Sequence, residues 1–199
     1  EKSYLFVNSS KSYETPTLSE LSANPTGKGG FNDLLGVQKA KNFDFGLKFK
    51  SEFTNFSIVG FMVNTENDLV PYELEEFPGR TFYQNAGKTL RKGIEIEFNH
   101  RLNKNFSTSI IYNFTNFKYD EYISSDSNLK GNYLPGIPTR FGNFELRYKN
   151  SKKLSISYSR NYRGNLYAND NNTEEISSFW RDDVSLSIPL KIGKNNFDF

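Results

Sequence analysis

The chain has 199 residues, a formal net charge of +2 and no cysteine, which excludes a disulfide framework and a thiolate metal site. Its basic and acidic residues are intermixed, so the sequence lacks the basic stripe that a nucleic-acid partner requires. The longest runs without a charged residue, residues 53–65 and 105–117, have 13 residues each, whereas a membrane-spanning helix needs about 17–25 mostly apolar residues. The sequence therefore predicts neither a nucleic-acid-binding protein nor a helical membrane protein.

Strict alternation of apolar and polar side chains predicts eight strands and the start of a ninth. In the clearest case, Ile94, Ile96 and Phe98 fall on one face of a strand, while Glu95 and Glu97 fall on the other. The apolar sets of the other well-patterned strands are, in chain order, Phe43, Phe45, Leu47 and Phe49; Phe106, Ile110, Tyr112 and Phe114; Phe144, Leu146 and Tyr148; Leu154, Ile156, Tyr158 and Tyr162; and Val184, Leu186, Ile188 and Leu190.

The predicted connections between these strands alternate between short and long. The short ones lie at residues 50–55, 100–105, 149–153 and 191–196, and the long ones at residues 8–41, 64–82, 118–139 and 163–179. A period of two also fits a soluble β-sandwich or barrel whose apolar face points inward. Tight turns at one rim and long loops at the other are typical of transmembrane barrels. The predicted fold is therefore all-β, an antiparallel up-and-down transmembrane β-barrel.

The chain begins and stops within predicted strands, at residues 1–7 and 196–199. An open set of strands leaves two unpaired edges, which a bilayer does not tolerate. We therefore expect an incomplete fragment of about 8–9 strands from a larger, about 22-stranded barrel.

Three motifs resemble those of TonB-dependent outer-membrane receptors. Residues 13–21, Y-E-T-P-T-L-S-E-L, and then residues 29–32, G-G-F-N, are similar to the loop before the family's N-x-x-L-K-P-E…E-x-G strand. Residues 85–88, N-A-G-K, followed by residues 92–97, resemble its N-A-G…G-x-E strand, and residues 134–138, L-P-G-I-P, resemble its L-P-G-x-P. Two departures are L-G-V-Q at residues 35–38 and Asp44 in place of Glu before Gly46, which put the start of that strand in doubt.

Each motif also has a local physical interpretation. Pro16, Pro135 and Pro138 fix φ and remove a hydrogen-bond donor, which suits the point where a loop joins a strand. Gly87 and Gly93 are expected to mark a bulge or a close approach of two backbones.

The resemblance implies that residues 1–199 are part of a receptor barrel domain, without the plug domain and the remaining strands. Such a receptor lies in the outer membrane of a Gram-negative bacterium and imports a scarce nutrient, most often a ferric siderophore or another iron complex. The implied partners are outer-membrane lipid, TonB through the missing N-terminal plug region, and the small-molecule cargo, with no cofactor. Cobalamin, haem and oligosaccharides stay open as cargo.

The sequence predicts a transporter and not an enzyme, with no catalytic or metal site. His100 is the only histidine, and its place at a tight turn predicts an interfacial residue. No nucleophile, base and orienting group can be assembled around it. An acidic stretch lacks calcium-loop spacing and is expected to be a solvated loop face, as is the Asp182–Asp183 pair. The stretch consists of Glu66, Asp68, Glu73, Glu75 and Glu76.

Cargo contacts are expected in the long loops, because loop residues are free of the constraints of the strands. Ferric siderophores are commonly anionic and flat-sided, so arginine next to an aromatic ring is the expected chemistry. The candidate ligand-binding residues are Arg80, Tyr83, Arg163, Tyr167, Trp180 and Arg181. The alternative is that these aromatic residues pack the loops or form an aromatic girdle. Two other functions also remain open, a passive outer-membrane porin and a soluble β-sandwich that binds carbohydrate.

Overall fold

The chain is almost entirely β-structure in the computed structural model, which describes residues 1–27, 29–124, 127–151, 154–192 and 195–198. The elements in chain order are β1 (Lys2–Glu14), α1 (Leu18–Ser22), β2 (Gln38–Lys50), β3 (Thr54–Glu73), β4 (Thr81–Arg101), β5 (Phe106–Glu121), β6 (Ile123–Ser124), β7 (Ser127–Asn128), β8 (Arg140–Lys149), β9 (Ser155–Arg163), β10 (Leu166–Tyr167), β11 (Glu175–Ile176), β12 (Phe179–Ser187), β13 (Pro189–Ile192) and β14 (Asn195–Asp198). Among the described residues, no helix is long and apolar enough to cross a membrane.

Eight strands form one antiparallel sheet in the order β1-β2-β3-β4-β5-β8-β9-β12. Each strand pairs with the next long strand along the chain, which confirms the predicted meander. The other strands form three separate hairpins, β6-β7, β10-β11 and β13-β14. In the part of the chain that the structure describes, β1 and β12 are the two edges of the sheet and do not pair with each other.

The strand register places the large apolar side chains on one face of this sheet. Cross-strand partners in an antiparallel pair lie on the same face, and one such row runs through Leu5, Leu47, Ile58, Ile96 and Tyr112. These side chains are not covered by a second sheet, so Leu5 stays 85% exposed and Leu186 56% exposed. A continuous exposed apolar face of this kind requires a non-aqueous neighbour. The predicted outward position of Ile94, Ile96, Ile110 and Leu186 is confirmed.

The opposite face of the sheet is polar and lines a water-accessible cavity. One row across this face runs through Ser57, Glu97, Ile111, Asn143 and Asn161. Glu145 and Arg147 from the same face help to line a cavity of about 510 Å³ near the tight turns. We call the two sides the apolar face and the polar face.

The short connections lie where the sequence predicts them, but the strands at the other end are longer than predicted. β1 continues to Glu14, β2 starts at Gln38, and β3 and β4 remain paired as far as Glu73 and Thr81. The predicted loops at residues 8–41 and 64–82 are therefore partly strand. Both faces of these extensions are polar, so they lack the alternation by which strands are recognised, although their backbones still pair.

Two local features differ from the sequence prediction. Thr17 caps helix α1, because its side chain accepts from the backbone N–H of Glu20 and the Glu20 carboxylate accepts from the N–H of Thr17 at 2.6 Å. The strand predicted to contain Val184 and Leu190 ends at Ser187 and resumes at Pro189, because proline donates no ladder hydrogen bond. The side chain of Leu190 lies outside the described residues.

Both glycines of the N-A-G…G-x-E motif sit at close backbone approaches, as predicted. A Cβ on Gly87 would collide with the Glu121 carbonyl, next to a register shift between Lys88 and Thr89. A Cβ on Gly93 would lie 2.7 Å from the Phe61 ring and would also collide with the backbone of β5.

Candidate functional site

The buried side chains of the molecule gather at the loop end of the sheet, on its polar face. Tyr119, Tyr122, Leu129 and Leu134 form an apolar cluster, against which Val70, Phe117 and Ile137 pack. Tyr119 is the cross-strand partner of Thr89, and Thr89 alternates onto the same face as Glu97. The cluster therefore covers the polar face where the strands end.

Beside this cluster lies a cavity of about 450 Å³ that contains buried charge. It is lined by Asp68, Leu69, Val70, Pro71, Arg91, Tyr119, Leu134, Pro135, Ala168, Asn169 and Asp170. The Asp68 residue is 4% exposed, and a buried carboxylate needs compensating partners. It receives a hydrogen bond of 2.8 Å from the Thr89 hydroxyl and an ion pair from the Arg91 guanidinium.

Tyr119 joins this cavity to the loop that follows β9. Its hydroxyl donates to the Asp170 carboxylate at 2.6 Å, and the Asn132 side chain donates to the Asp170 carbonyl at 3.0 Å. Burial and the hydrogen bond to Asp170 raise the pKa of Tyr119 well above its ordinary value. Tyr119 is therefore a neutral hydrogen-bond donor at physiological pH.

Residues 129–139 and 164–178 pack together, and we call them the loop pair. The Asn172 side chain donates to the Tyr133 carbonyl at 2.9 Å and accepts from the Tyr133 backbone N–H at 2.6 Å. In the L-P-G-I-P motif, Gly136 has φ +75° and its N–H donates to the Tyr167 carbonyl at 2.8 Å. The Pro138 carbonyl accepts from the Thr115 hydroxyl at 2.7 Å. The motif therefore ties the loop pair to β5 and to itself.

The first long loop is anchored to the extended β3-β4 hairpin through asparagine side chains. Asn85, from the N-A-G motif, accepts from the Gly36 N–H at 2.6 Å and donates to the Asn67 carbonyl at 2.9 Å. Asn32 is 4% exposed and donates to the Tyr83 carbonyl at 3.4 Å. Both motif asparagines thus satisfy backbone groups that the strand ladder leaves unpaired.

The structure places Arg80 and Tyr83 on the extended hairpin, and Arg163 and Tyr167 at the loop pair. The Arg80 guanidinium lies over the Phe82 ring at 5.0 Å. Arg163 lies over the Phe179 ring at 4.5 Å, and its guanidinium donates to the Ser177 carbonyl at 3.3 Å. Tyr167 stacks on Tyr133 with ring centroids 5.9 Å apart. Each predicted arginine already contacts an aromatic ring.

Trp180 and Arg181 lie on opposite faces of β12. Trp180 continues the row of the apolar face, where it packs on Tyr162 at 4.4 Å between ring centroids. Arg181 lies on the polar face and forms a 3.0 Å ion pair with Asp183. The position of Trp180 supports the girdle interpretation for this residue, and Arg181 stays a candidate for cargo contact.

Sequence reasoning missed the charged groups of the cavity. The acidic stretch is solvated at Glu66, Glu73, Glu75 and Glu76, as predicted, but that prediction is wrong for Asp68, which is buried. Asn67, with φ +57°, interrupts β3 just before Asp68, and the Asp68 carboxylate lies against Thr89 and Arg91 of the neighbouring strand. The partners are more than 20 residues away in sequence, so no local pattern identifies them.

We expect Tyr119→Phe to release the loop pair from the sheet while the barrel still assembles. A hydrogen bond to a charged group contributes about 1.5–3 kcal/mol, so local opening of residues 164–178 should increase about ten-fold or more. Amide hydrogen exchange on the full-length protein measures this directly. Tyr112→Phe, on the apolar face, is the matched control, and equal exchange in both variants would contradict the role of the Tyr119 hydroxyl.

Comparison with known proteins places this geometry among outer-membrane transporters. A family described as "TonB dependent receptor-like, beta-barrel" matches residues 3–199. A probable TonB-dependent siderophore receptor of Acinetobacter baumannii, PiuA, is 20% identical over 179 residues, which are 83% of this chain and 24% of PiuA.

Solved structures share the fold of this chain at low sequence identity. The ferric yersiniabactin uptake receptor FyuA of Yersinia pestis aligns with a TM-score of 0.69 and 14% identity, over 98% of this chain and 32% of FyuA. The copper transporter OprC aligns with a TM-score of 0.76 and 18% identity, over 98% of this chain and 30% of OprC. The chain thus spans about a quarter to a third of the length of these relatives.

Proposed function

Because this chain belongs to the family of TonB-dependent receptor β-barrels, we propose that it is part of an outer-membrane receptor that imports a ferric siderophore or another iron complex. The match over residues 3–199 is the observation that carries this proposal. Residues 1–199 then form part of the barrel wall, and the plug domain and remaining strands lie elsewhere in the protein. TonB, acting through the plug region, supplies the energy for import, and the chain's role is transport, not catalysis.

The two faces of the sheet suit this role. The apolar face contacts outer-membrane lipid, since large exposed side chains such as Leu5 and Leu186 gain about 1.5–3 kcal/mol each when they leave water. The polar face lines the lumen, and the loop pair covers that face at the end where cargo arrives. Cargo then meets Arg80, Arg163 and Arg181 before it reaches the lumen.

Two observations bear on the alternatives. A soluble β-sandwich for carbohydrate is not favoured, because the long strands form one sheet with an exposed apolar face and not two stacked sheets. A passive porin would take up its solute without TonB. Uptake of the iron complex by cells with and without TonB separates the two transporters, and uptake that persists without TonB favours the porin.

We expect Ala substitutions of Arg80, Arg163 and Arg181 to weaken binding of an anionic ferric chelate while the barrel still assembles. Loss of one charge-assisted hydrogen bond typically costs about 1.5–3 kcal/mol, which is roughly ten-fold or more in affinity. The measurement is chelate binding to the full-length variants in detergent.

Arg101→Ala is the matched control for these variants, because Arg101 ends β4 at the opposite, tight-turn end of the sheet. Wild-type affinity in all three loop variants means that these arginines do not contact cargo. If the unaltered protein binds no ferric chelate, cobalamin, haem, oligosaccharide or copper complexes become the better cargo candidates.

A further inference from the structure

The apolar face carries a belt of basic side chains at its loop end. By strand register, six lysine and arginine residues point to this face just beyond its apolar side chains, and all six are exposed. This basic belt consists of Lys11, Lys39, Lys41, Lys92, Arg140 and Arg160. Lys11 and Lys41 are direct cross-strand partners, an arrangement that places like charges side by side and is unfavourable without a counter-charge.

The belt follows the inclination that a barrel gives to its strands. Arg160 lies in the same cross-strand row as Ser3, which is eight residues before Lys11 on β1 and six strands away from β9. With about 3.4 Å per residue and about 4.8 Å between strands, this offset corresponds to a tilt of roughly 40°. Barrel strands tilt by about 35–45°, so a line from Lys11 to Arg160 runs parallel to the membrane plane.

Charge on this face is confined to the belt. Between the belt and the tight turns, the described strands place no Asp, Glu, Lys or Arg on the apolar face. The tight-turn rim of that face is aromatic instead, with Phe49, Phe56, Phe98, Phe106 and Tyr148. From Lys41 to Phe49 the strand rises about 27 Å, or roughly 21 Å along the membrane normal at this tilt, close to the apolar band of about 25 Å in outer-membrane barrels.

The belt keeps an excess of positive charge within the described residues. Glu66 lies 3.8 Å from Lys41, and Asp182 lies 3.4 Å from Arg160, so two carboxylates stand against six cations. Both ion pairs are exposed and contribute little. The Arg140 and Arg160 guanidiniums lie over the Phe114 and Trp180 rings, at 5.8 Å and 4.8 Å. Such side chains keep their stems on apolar surface and present their charge to a head-group layer.

We propose that the basic belt binds the phosphate groups of anionic glycolipid in the outer leaflet. The site is open to the lipid side, is continuous with the apolar band that holds the acyl chains, and is complementary in charge to a phosphorylated head group. Each Lys or Arg near an anionic lipid surface contributes about 1 kcal/mol. The proposal rests on the outer-membrane placement given above, and it assigns the belt to lipid and not to cargo.

Native mass spectrometry of the detergent-solubilised full-length protein tests this, with lipid A that bears both phosphates or lipid A from which they have been removed as the probe. We expect the phosphorylated lipid to bind about ten-fold or more tighter, and Lys11→Gln/Lys41→Gln/Lys92→Gln to abolish that preference. The matched control is Lys48→Gln/Lys50→Gln/Arg101→Gln, which removes the same charge from the polar face and should leave the preference intact.

The outcomes separate this proposal from the proposed function. Equal binding of the two lipids, a preference that survives in the belt variant, or displacement of lipid A by inorganic phosphate alone would overturn the lipid site. A protein that does not insert into bilayers overturns both proposals. A preserved lipid preference without iron-complex binding overturns only the cargo assignment.

Discussion

Replacement of Arg91 by leucine is expected to lower the free energy of unfolding of the full-length protein by about 3–5 kcal/mol. Asp68 is 4% exposed, and the variant leaves its carboxylate with the Thr89 hydroxyl as its remaining side-chain partner among the described residues. An uncompensated buried carboxylate is far more costly than the net gain from the ion pair itself. Urea unfolding of the protein in lipid, measured by a mobility shift or by tryptophan fluorescence, gives the value.

A double-mutant cycle identifies the mechanism of that loss. Asp68→Asn removes the charge that Arg91 neutralises, so the double variant Asp68→Asn/Arg91→Leu should recover a large part of the stability lost in Arg91→Leu. Arg147→Leu is a suitable control, because its partner Glu145 lies on the water-accessible polar face. A loss in the double variant equal to the sum of the two single losses would mean that Asp68 and Arg91 are not energetically coupled.

The sheet of this protein could be predicted from sequence because the bilayer and the lumen impose opposite demands on alternate residues. Ile96 and Glu97 adjoin in sequence yet face different solvents, so the pattern fixes the face of every residue in the strand. The loop-end extensions, with Glu14 and Glu73, have water on both sides, and that rule no longer applies to them. Helix α1 does have a sequence signal, the T-x-x-E capping box of Thr17 and Glu20.

The candidate site was less accessible to sequence reasoning. Tyr119 and Asp170 are 51 residues apart, and their contact depends on how two loops fold back onto the polar face. Aromatic and arginine residues in the long loops were reasonable choices for cargo contact, but loop residence does not fix a face. Trp180 and Arg181 show this, since they are adjacent in sequence and lie on opposite sides of β12.

The lipid face should reject charge, and Ile96→Arg and Leu186→Arg should each destabilise the folded barrel by about 2–4 kcal/mol near the bilayer midplane. Ile96 lies midway between Lys92 of the basic belt and His100 at the tight-turn end of β4, which places it close to that depth. The measurement is reversible folding of the full-length protein into lipid vesicles.

The matched controls for this experiment are the adjacent residues on the polar face, Glu97→Arg and Ser185→Arg. Because successive side chains of a strand point to opposite faces, each control changes the charge at almost the same depth but on the water side. Both should cost much less than the lipid-face variants. If the controls are the more costly pair, the apolar face points into the lumen, and then neither the membrane orientation nor the lipid contact of the basic belt can hold. If all four are tolerated, the sheet is not in lipid at this depth.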